Sequence, residues 1–359
     1  MPDVKIFARN LEEQALKQVD TLSKQEAFKN SKIRIMPDGH SGKGCVIGFT
    51  STFEDKICPN LIGVDIGCGL YAVNVPKIDR EMIPEFDDVV NRVVPSGFNL
   101  CDKETFDIRE LNLTCVDHLK NIDRLNKSAG TLGGGNHFVE VDSDGDTDWI
   151  VVHSGSRNLG LQIAQFYQNV ANDVCDDDVP KDLKYLQGLG AESYLRDMKL
   201  AQEFAVINRK LIIDNIIKEF FGENFKPMNS FSTIHNYIGN DDIIRKGAVS
   251  AKDGELLIIP LNMRDGAIIG RGKGNEDWNF SAPHGSGRKL SRKKANDSLN
   301  LEEFEKDMRN ANIYSTSVCK STLDEAPGAY KDSNQIIELI EPTVEIEKIV
   351  KPVYNFKAH

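Results

Sequence analysis

Residues Gly130–Gly155 read GTLGGGNHFVEVDSDGDTDWIVVHSG. Two apolar runs, Phe138–Val141 and Trp149–Val152, flank the acidic stretch Asp142–Asp148, and the spacing predicts two antiparallel strands closed by a solvated turn. Pairing Asp142 with Asp148 sets His137 directly opposite His153, so that two imidazoles share one face at a distance suited to one metal ion. The turn is not a calcium loop. Its glycine stands fourth rather than sixth, and His153 occupies the place of the bidentate glutamate.

A second stretch supplies another half of such a site. Leu61–Val73, LIGVDIGCGLYAV, reads as an apolar strand interrupted by Asp65, Gly67, Cys68 and Gly69. An acid in such a run is costly to bury unless it is paired or bound to a cation. Asp65 and Cys68 together suit a divalent metal. A third isolated histidine, His235, follows in Ile234–Tyr237.

The chemical centre is expected within Ile258–Arg292, at His284. The small residues Gly285, Ser286 and Gly287 let backbone N–H groups approach an anion, and Arg288 and Arg292, four residues apart, would share one face of a basic helix start. A phosphate beside His284 would meet both. The loop Met36–Gly44, MPDGHSGKG, brings an acid, His40 and Lys43 into another glycine-dense segment; it is not a Walker A loop, because only two residues separate Gly39 from Gly42–Lys43.

Length and charge limit the reading. A chain of 359 residues buries a sizeable core, and its net charge of −11 argues against coating nucleic acid through overall electrostatics. The basic cluster Arg288, Lys289, Arg292, Lys293 and Lys294 instead suits local handling of phosphates. Seven cysteines without a CxxC spacing do not form a disulfide framework, which points to a reducing compartment. No apolar run reaches 18 residues and the N-terminal stretch lacks an apolar core, so a cytoplasmic protein with no membrane association is expected. Helical spacing appears at Asn10–Leu22, Leu161–Val174 and Ala191–Phe221, and strands are expected at Glu255–Pro260 and Val344–Val350. With no repeat and no low-complexity linker, a single domain over 1–359 is expected.

In order, MPDGHSGKG, GVDIGCG, GTLGGGNHFVEV, HSGSRNLG, HNY, RKGAVSAKDGELLIIP, HGSGRKLSR, EAPGAYKD and the KPVYNFK tail resemble the RtcB family of GTP-dependent RNA ligases. The resemblance spans nearly the whole chain. It implies an α+β fold, with mixed and antiparallel sheets and flanking helices around a deep metal-binding groove. It also implies joining of an RNA 3′-phosphate or 2′,3′-cyclic phosphate to a 5′-hydroxyl, in RNA repair or tRNA splicing, with GTP and two Mn²⁺ ions.

Carried over residue by residue, the resemblance makes His284 the guanylylated nucleophile. Asp65, Cys68, His137, His153 and His235 become the metal ligands, with Cys68 bridging. Asn136, Glu140, Asn236, Asn262, Met263, Gly285, Ser286, Gly287, Tyr330 and Lys357 become the nucleotide pocket, and Arg157, Lys246, Arg288 and Arg292 the contacts to RNA phosphates. An archease-type protein is a candidate activator. The chain departs from the family at Pro260–Gly266, PLNMRDG, where Pro-Gly-Ser-Met-Gly is usual; Arg264 and Asp265 would there bear on nucleotide affinity or choice. Two other readings are a damaged-RNA binding or sensing protein that does not seal, and a metal-dependent RNA-end phosphoesterase. The second needs Asp65, Cys68 and three histidines but not His284.

Overall fold

The structure is a computed structural model and describes residues 2–358. From the N-terminus it runs β1 (Asp3–Ile6), α1 (Glu13–Ser23), β2 (Lys32–His40), β3 (Ile47–Thr52), β4 (Gly69–Pro76) and α2 (Ile83–Val93). Then come α3 (Ile122–Asn126), β5 (Phe138–Ser143), β6 (Thr147–Ser154), α4 (Arg157–Val174) and the long α5 (Gly188–Phe221). Five short strands and a hairpin follow: β7 (Asn229–Ile234), β8 (Asn236–Ile238), β9 (Ile243–Lys246), β10 (Ala248–Ser250), β11 (Leu256–Asn262), β12 (Gly266–Gly272) and β13 (Ser281–Pro283). The chain ends with α6 (Arg292–Ser298), α7 (Leu301–Asn310), α8 (Ser333–Leu339) and β14 (Val344–Lys357).

A seven-stranded sheet has the order β11-β12-β14-β5-β6-β4-β7, a five-stranded sheet β1-β2-β3-β9-β8, and β10 pairs with β13. Apart from the parallel β1–β2 pair, the ladders are antiparallel. This is the α+β architecture expected. The C-terminal strand holds the large sheet together: the Val344–Val350 half of β14 pairs with β12, and Lys351–Lys357 continues onto β5. The tail is therefore interior sheet rather than an appendage.

Helix α5 explains how the apolar surface is covered. Tyr194, Met198, Ala201 and Phe204 pack with α4 in one core, while Ile212, Ile213, Ile216 and Ile217 pack with α2 and the outer face of β5 and β6 in another. Between these halves lie Asn208 and Arg209, both fully buried. Asn208 accepts from Gly130 N at 2.8 Å and donates to Ser154 Oγ at 3.0 Å, and Arg209 donates to Gly67 O at 2.8 Å and Ser154 O at 2.7 Å. Buried polar groups survive only when bonded, and these two fasten together the three loops that present Cys68, His137 and His153.

Three local expectations are corrected. The hairpin register is shifted by one, pairing Phe138 with His153 and Ser143 with Asp148, because the strands extend to Ser143 and Thr147 and leave a shorter turn. His137 thus precedes the strand instead of facing His153 across it. Second, β4 starts only at Gly69; a short 3₁₀ segment ends at Leu61 and residues 62–68 form turns, because Cys68 N bonds Asp65 O at 3.2 Å and Gly67 N bonds Asn236 O at 2.8 Å. Third, Arg288 is not helical. It makes a backbone bridge to Tyr330, and α6 begins at Arg292 behind the Ser291 cap.

Candidate active site

Two sets of donor atoms converge: Asp65, Cys68 and His137 in one, Cys68, His153 and His235 in the other, with the atoms of each set within 4.8 Å of one another. Cys68 belongs to both. Its Sγ lies 3.6 Å from His137 Nε2 and 3.2 Å from His153 Nε2, and the Nε2 atoms of His153 and His235 are 3.4 Å apart. The His153 ring is oriented for a metal: its Nδ1 faces Asn136 O at 3.2 Å, so that the backbone carbonyl accepts Nδ1–H and the Nε2 lone pair points at the thiol. His137 Nδ1 lies 2.9 Å from Leu132 O and 3.2 Å from Arg157 Nη1, and its Nε2 is 3.1 Å from Asp65 Oδ2.

Burial, then the neighbouring imidazoles His137 and His284 respectively, drive the pKa of His153 and His235 well below 6.5, which leaves both neutral. Burial followed by Asp65 raises the Cys68 thiol. For Asp65 burial opposes ionisation, but the hydrogen bond to His137 holds its pKa at about 2. His235 Nδ1 is buried without a hydrogen-bond partner among the described residues, and a cation held by the Nε2 atoms of His153 and His235 and by the Cys68 sulfur would fix both rings. The donor set fits divalent transition metals.

Glycines let these groups meet. A Cβ at Gly155 would lie 2.0 Å from Asp65 Oδ1, and one at Gly133 would lie 1.4 Å from Arg157 Nη2. Glycine in the HSGSR and GTLGGGN segments is thus required by close approach.

His284 follows β13, and its ring centroid is 4.8 Å from that of His235. Its Nδ1 is 2.6 Å from Asp38 Oδ2, which also accepts from His284 N at 3.2 Å. Asp38 reaches it because the β2–β3 register breaks between Ile35 and His40, taking residues 36–39 out of the ladder. The carboxylate is fully buried and accepts Nδ1–H, which sets the tautomer of the neutral ring so that its lone pair sits on Nε2. Asp38 was visible in the sequence only as the acid of a glycine-rich loop; no spacing links it to His284.

A cavity of about 300 Å³ opens beside His284. It is lined by Asn136, Glu140, Asn262, Met263, Gly285, Ser286, Gly287, Tyr330 and Lys357, together with His40, His153, Arg288 and Arg292. Asn236 does not line it: its side chain bonds Asp65 O and Gly247 N, on a separate pocket that holds Lys43, Lys246 and His284. Arg264 is also elsewhere, paired with Asp265 at 2.9 Å and Asp307 at 3.4 Å. Of the residues in the departing loop, Pro260, Leu261, Asn262 and Met263 line the cavity.

Glu325 was missed by sequence reasoning, although it opens the EAPGAYKD segment. Its carboxylate takes Arg288 Nη1 at 2.9 Å, Arg292 Nη1 at 3.0 Å, Lys357 Nζ at 3.2 Å and Tyr330 Oη at 2.5 Å. Burial opposes its ionisation, yet Lys357, Arg292 and Arg288 together hold its pKa at about 2. The two arginines are thus gathered by the adjacent acids Asp324 and Glu325 rather than by a helix face, Arg292 Nη1 lying 2.5 Å from Asp324 Oδ2. Lys246 is buried as well, with Nζ on Lys43 O at 2.7 Å and Asn60 O at 2.9 Å. Arg157, half-buried at the start of α4, lines a third groove with Asp65 and His137.

The family model described as tRNA-splicing ligase RtcB matches residues 18–119 and 114–358. RNA-splicing ligase RtcB of Escherichia coli K12 is 30% identical over 384 residues, covering 94% of this chain and 92% of the relative. The tRNA-splicing ligase RtcB of Nanoarchaeum equitans is 28% identical over 407 residues, covering 88% and 85%. RNA-splicing ligase RtcB homolog 2 of Entamoeba dispar is 26% identical over 412 residues, covering 88% and 78%. With its metal donors, its Asp38–His284 pair and its matched residues extending from 18 to 358, this chain belongs to the RtcB family.

Proposed function

We propose that the protein is an RNA ligase that uses GTP and Mn²⁺ to join an RNA 3′-phosphate, or 2′,3′-cyclic phosphate, to a 5′-hydroxyl through a histidine–GMP intermediate. The observation that carries this reading is His284: Asp38 takes its Nδ1 proton, and its ring stands between the metal donors and the cavity. The phosphoesterase reading needs only the metal donors, whereas nucleotidyl transfer also needs an oriented imidazole nucleophile, which the Asp38–His284 pair supplies.

His284 Nε2 attacks the α-phosphorus of GTP, so that an N–P bond forms as the bond to the pyrophosphate leaving group breaks. An oxygen of the RNA 3′-phosphate then takes the guanylate and returns the electron pair to Nε2. The 5′-hydroxyl oxygen attacks the activated 3′-phosphorus, losing its proton as GMP departs. Asp38 holds the ring orientation throughout and stabilises the positive charge that develops on it. Asn136, Glu140, Asn262, Met263 and Lys357 hold the nucleotide, while Lys246 and Arg157 face the RNA ends. Divalent cations at Asp65, Cys68, His137, His153 and His235 would supply neutralisation of the phosphoryl oxygens.

The test is incubation of the purified protein with RNA ends bearing 3′-phosphate or 2′,3′-cyclic phosphate and 5′-hydroxyl, with GTP and Mn²⁺, followed by sizing of the product. Joined RNA that requires GTP supports ligation. Loss of the terminal phosphate without joining establishes the phosphoesterase reading, and binding without either change establishes the non-sealing one.

A further inference from the structure

Phe98 is 93% exposed, the highest value among the exposed large hydrophobics of the described residues. It stands on the rim of a groove of about 960 Å³ that descends to Asp65, His137 and Arg157. Its backbone is fixed although its ring is bare. Asn99 N bonds Ser96 O at 3.1 Å, Gly97 N bonds Gly133 O at 2.9 Å, and Arg124 Nη2 bonds Phe98 O at 2.9 Å. Gly97, at φ +63°, supplies the left-handed residue of the turn. The tip is thereby tied to the same glycine segment that carries His137. The bare ring exposes apolar area to water with no packing in return, and a flat partner that covers it would recover that burial.

We propose that Phe98 is a stacking platform for an unpaired base near the 5′ end of the 5′-hydroxyl RNA strand, which lies in this groove with Arg124 and Arg157 beside its phosphates. The proposal rests on the RNA-joining reading. Charge complementarity names a polyanion, and the aromatic ring adds a base, the pairing typical of single-strand sites. The strand follows from the division of the site. The pocket that contains His284 also contains Lys43 and Lys246 and reaches Asp65, Cys68 and His235 from that side, which suits the terminal phosphate that must take guanylate from His284. The Phe98 groove reaches the Asp65–His137 donors without His284 among its lining residues, which suits an uncharged hydroxyl directed to a metal.

The experiment measures equilibrium binding of the Mn²⁺-loaded protein to a short 5′-hydroxyl RNA and to a 3′-phosphate RNA, each with single abasic positions moved along the strand. In wild type one abasic position near the 5′ end of the 5′-hydroxyl strand should weaken binding about tenfold, and Phe98→Ala should weaken the intact strand by a similar factor. The two losses should not add, and Phe98→Trp should restore the wild-type pattern. An unchanged affinity in Phe98→Ala, additive losses, or coupling confined to the 3′-phosphate strand overturns the proposal. Sealing is scored separately, so a wild type that binds with this coupling but joins no RNA counts against ligation and not against the platform.

Discussion

Asp38 Oδ2 and His284 Nδ1 lie 2.6 Å apart across 246 positions of sequence, and this contact decides which nitrogen of His284 is available for chemistry. His284→Ala should abolish covalent labelling by α-³²P-GTP and RNA joining together, while Mn²⁺ content stays near wild type because His284 lies outside the donor sets. Asp38→Asn presents an amide that can donate to Nδ1 and favour the opposite tautomer. Labelling should fall by about a hundredfold or more. Labelling of His284→Ala at the wild-type level would place the nucleophile elsewhere.

Because Cys68 belongs to both donor sets, removing it should affect both sites at once. Titration of the apoprotein with Mn²⁺, followed by elemental analysis, should find two ions in wild type. His235→Ala should retain the Asp65–His137 ion, whereas Cys68→Ala should lose most of both. Equal losses in the two variants would rule out a bridging thiolate.

Arg157 lines the groove beside the metal donors and is expected to meet RNA phosphate. Arg157→Ala should weaken RNA binding for every sequence, and the slope of log K against log salt should shrink by about 0.7 for one single-strand contact. Unchanged affinity with an unchanged slope would mark Arg157 as a support for His137 only.

Glu325 gathers Arg288, Arg292 and Lys357, and its removal leaves Asp324 as the one neighbouring carboxylate, among the described residues, for the two arginines. Glu325→Gln should destabilise the protein by about 3–5 kcal/mol at pH 7, as read by denaturant unfolding. The folded pKa of about 2 lies below the ordinary 4.5. The stabilisation is therefore complete above pH 4.5 and is lost as pH falls through 2. A variant as stable as wild type would show that the cations find equivalent partners.

Glu140 behaves in the opposite sense. Burial raises its pKa from 4.5 to about 7, against the pull of Lys357 and the Asn355 hydrogen bond. The folded state holds this proton more tightly than the unfolded chain, so stability falls as pH rises from 4.5 to 7. Glu140→Gln should remove part of that fall and leave the protein more stable than wild type at pH 8, by no more than about 3 kcal/mol. Parallel pH–stability curves for the two proteins would refute this.

The helices were legible because apolar spacing reports directly which face is buried: α1, α4 and α5 run close to the positions their periodicity gives. The candidate metal donors were legible for a related reason. Asp65, Cys68 and the histidines stand out chemically against apolar or glycine-rich surroundings, and that contrast survives without knowledge of the fold. Their pairing was not legible. Alternation along a strand tells which residues share a face, but the register depends on where the turn closes, and a shift of one residue moved His137 off the ladder. Nor does local sequence specify long-range partners. Asp38 meets His284 because a break in the β2–β3 ladder turns it inward, Glu325 collects cations from β14, α6 and the loop before it, and Asn208 and Arg209 bind the loops of the candidate metal site from the middle of the long helix α5. The sequence by itself determined the stock of chemical groups and the elements that carry them. Tertiary packing alone decided which of those groups meet, since a buried donor or charge must find its partner wherever the folded chain supplies one.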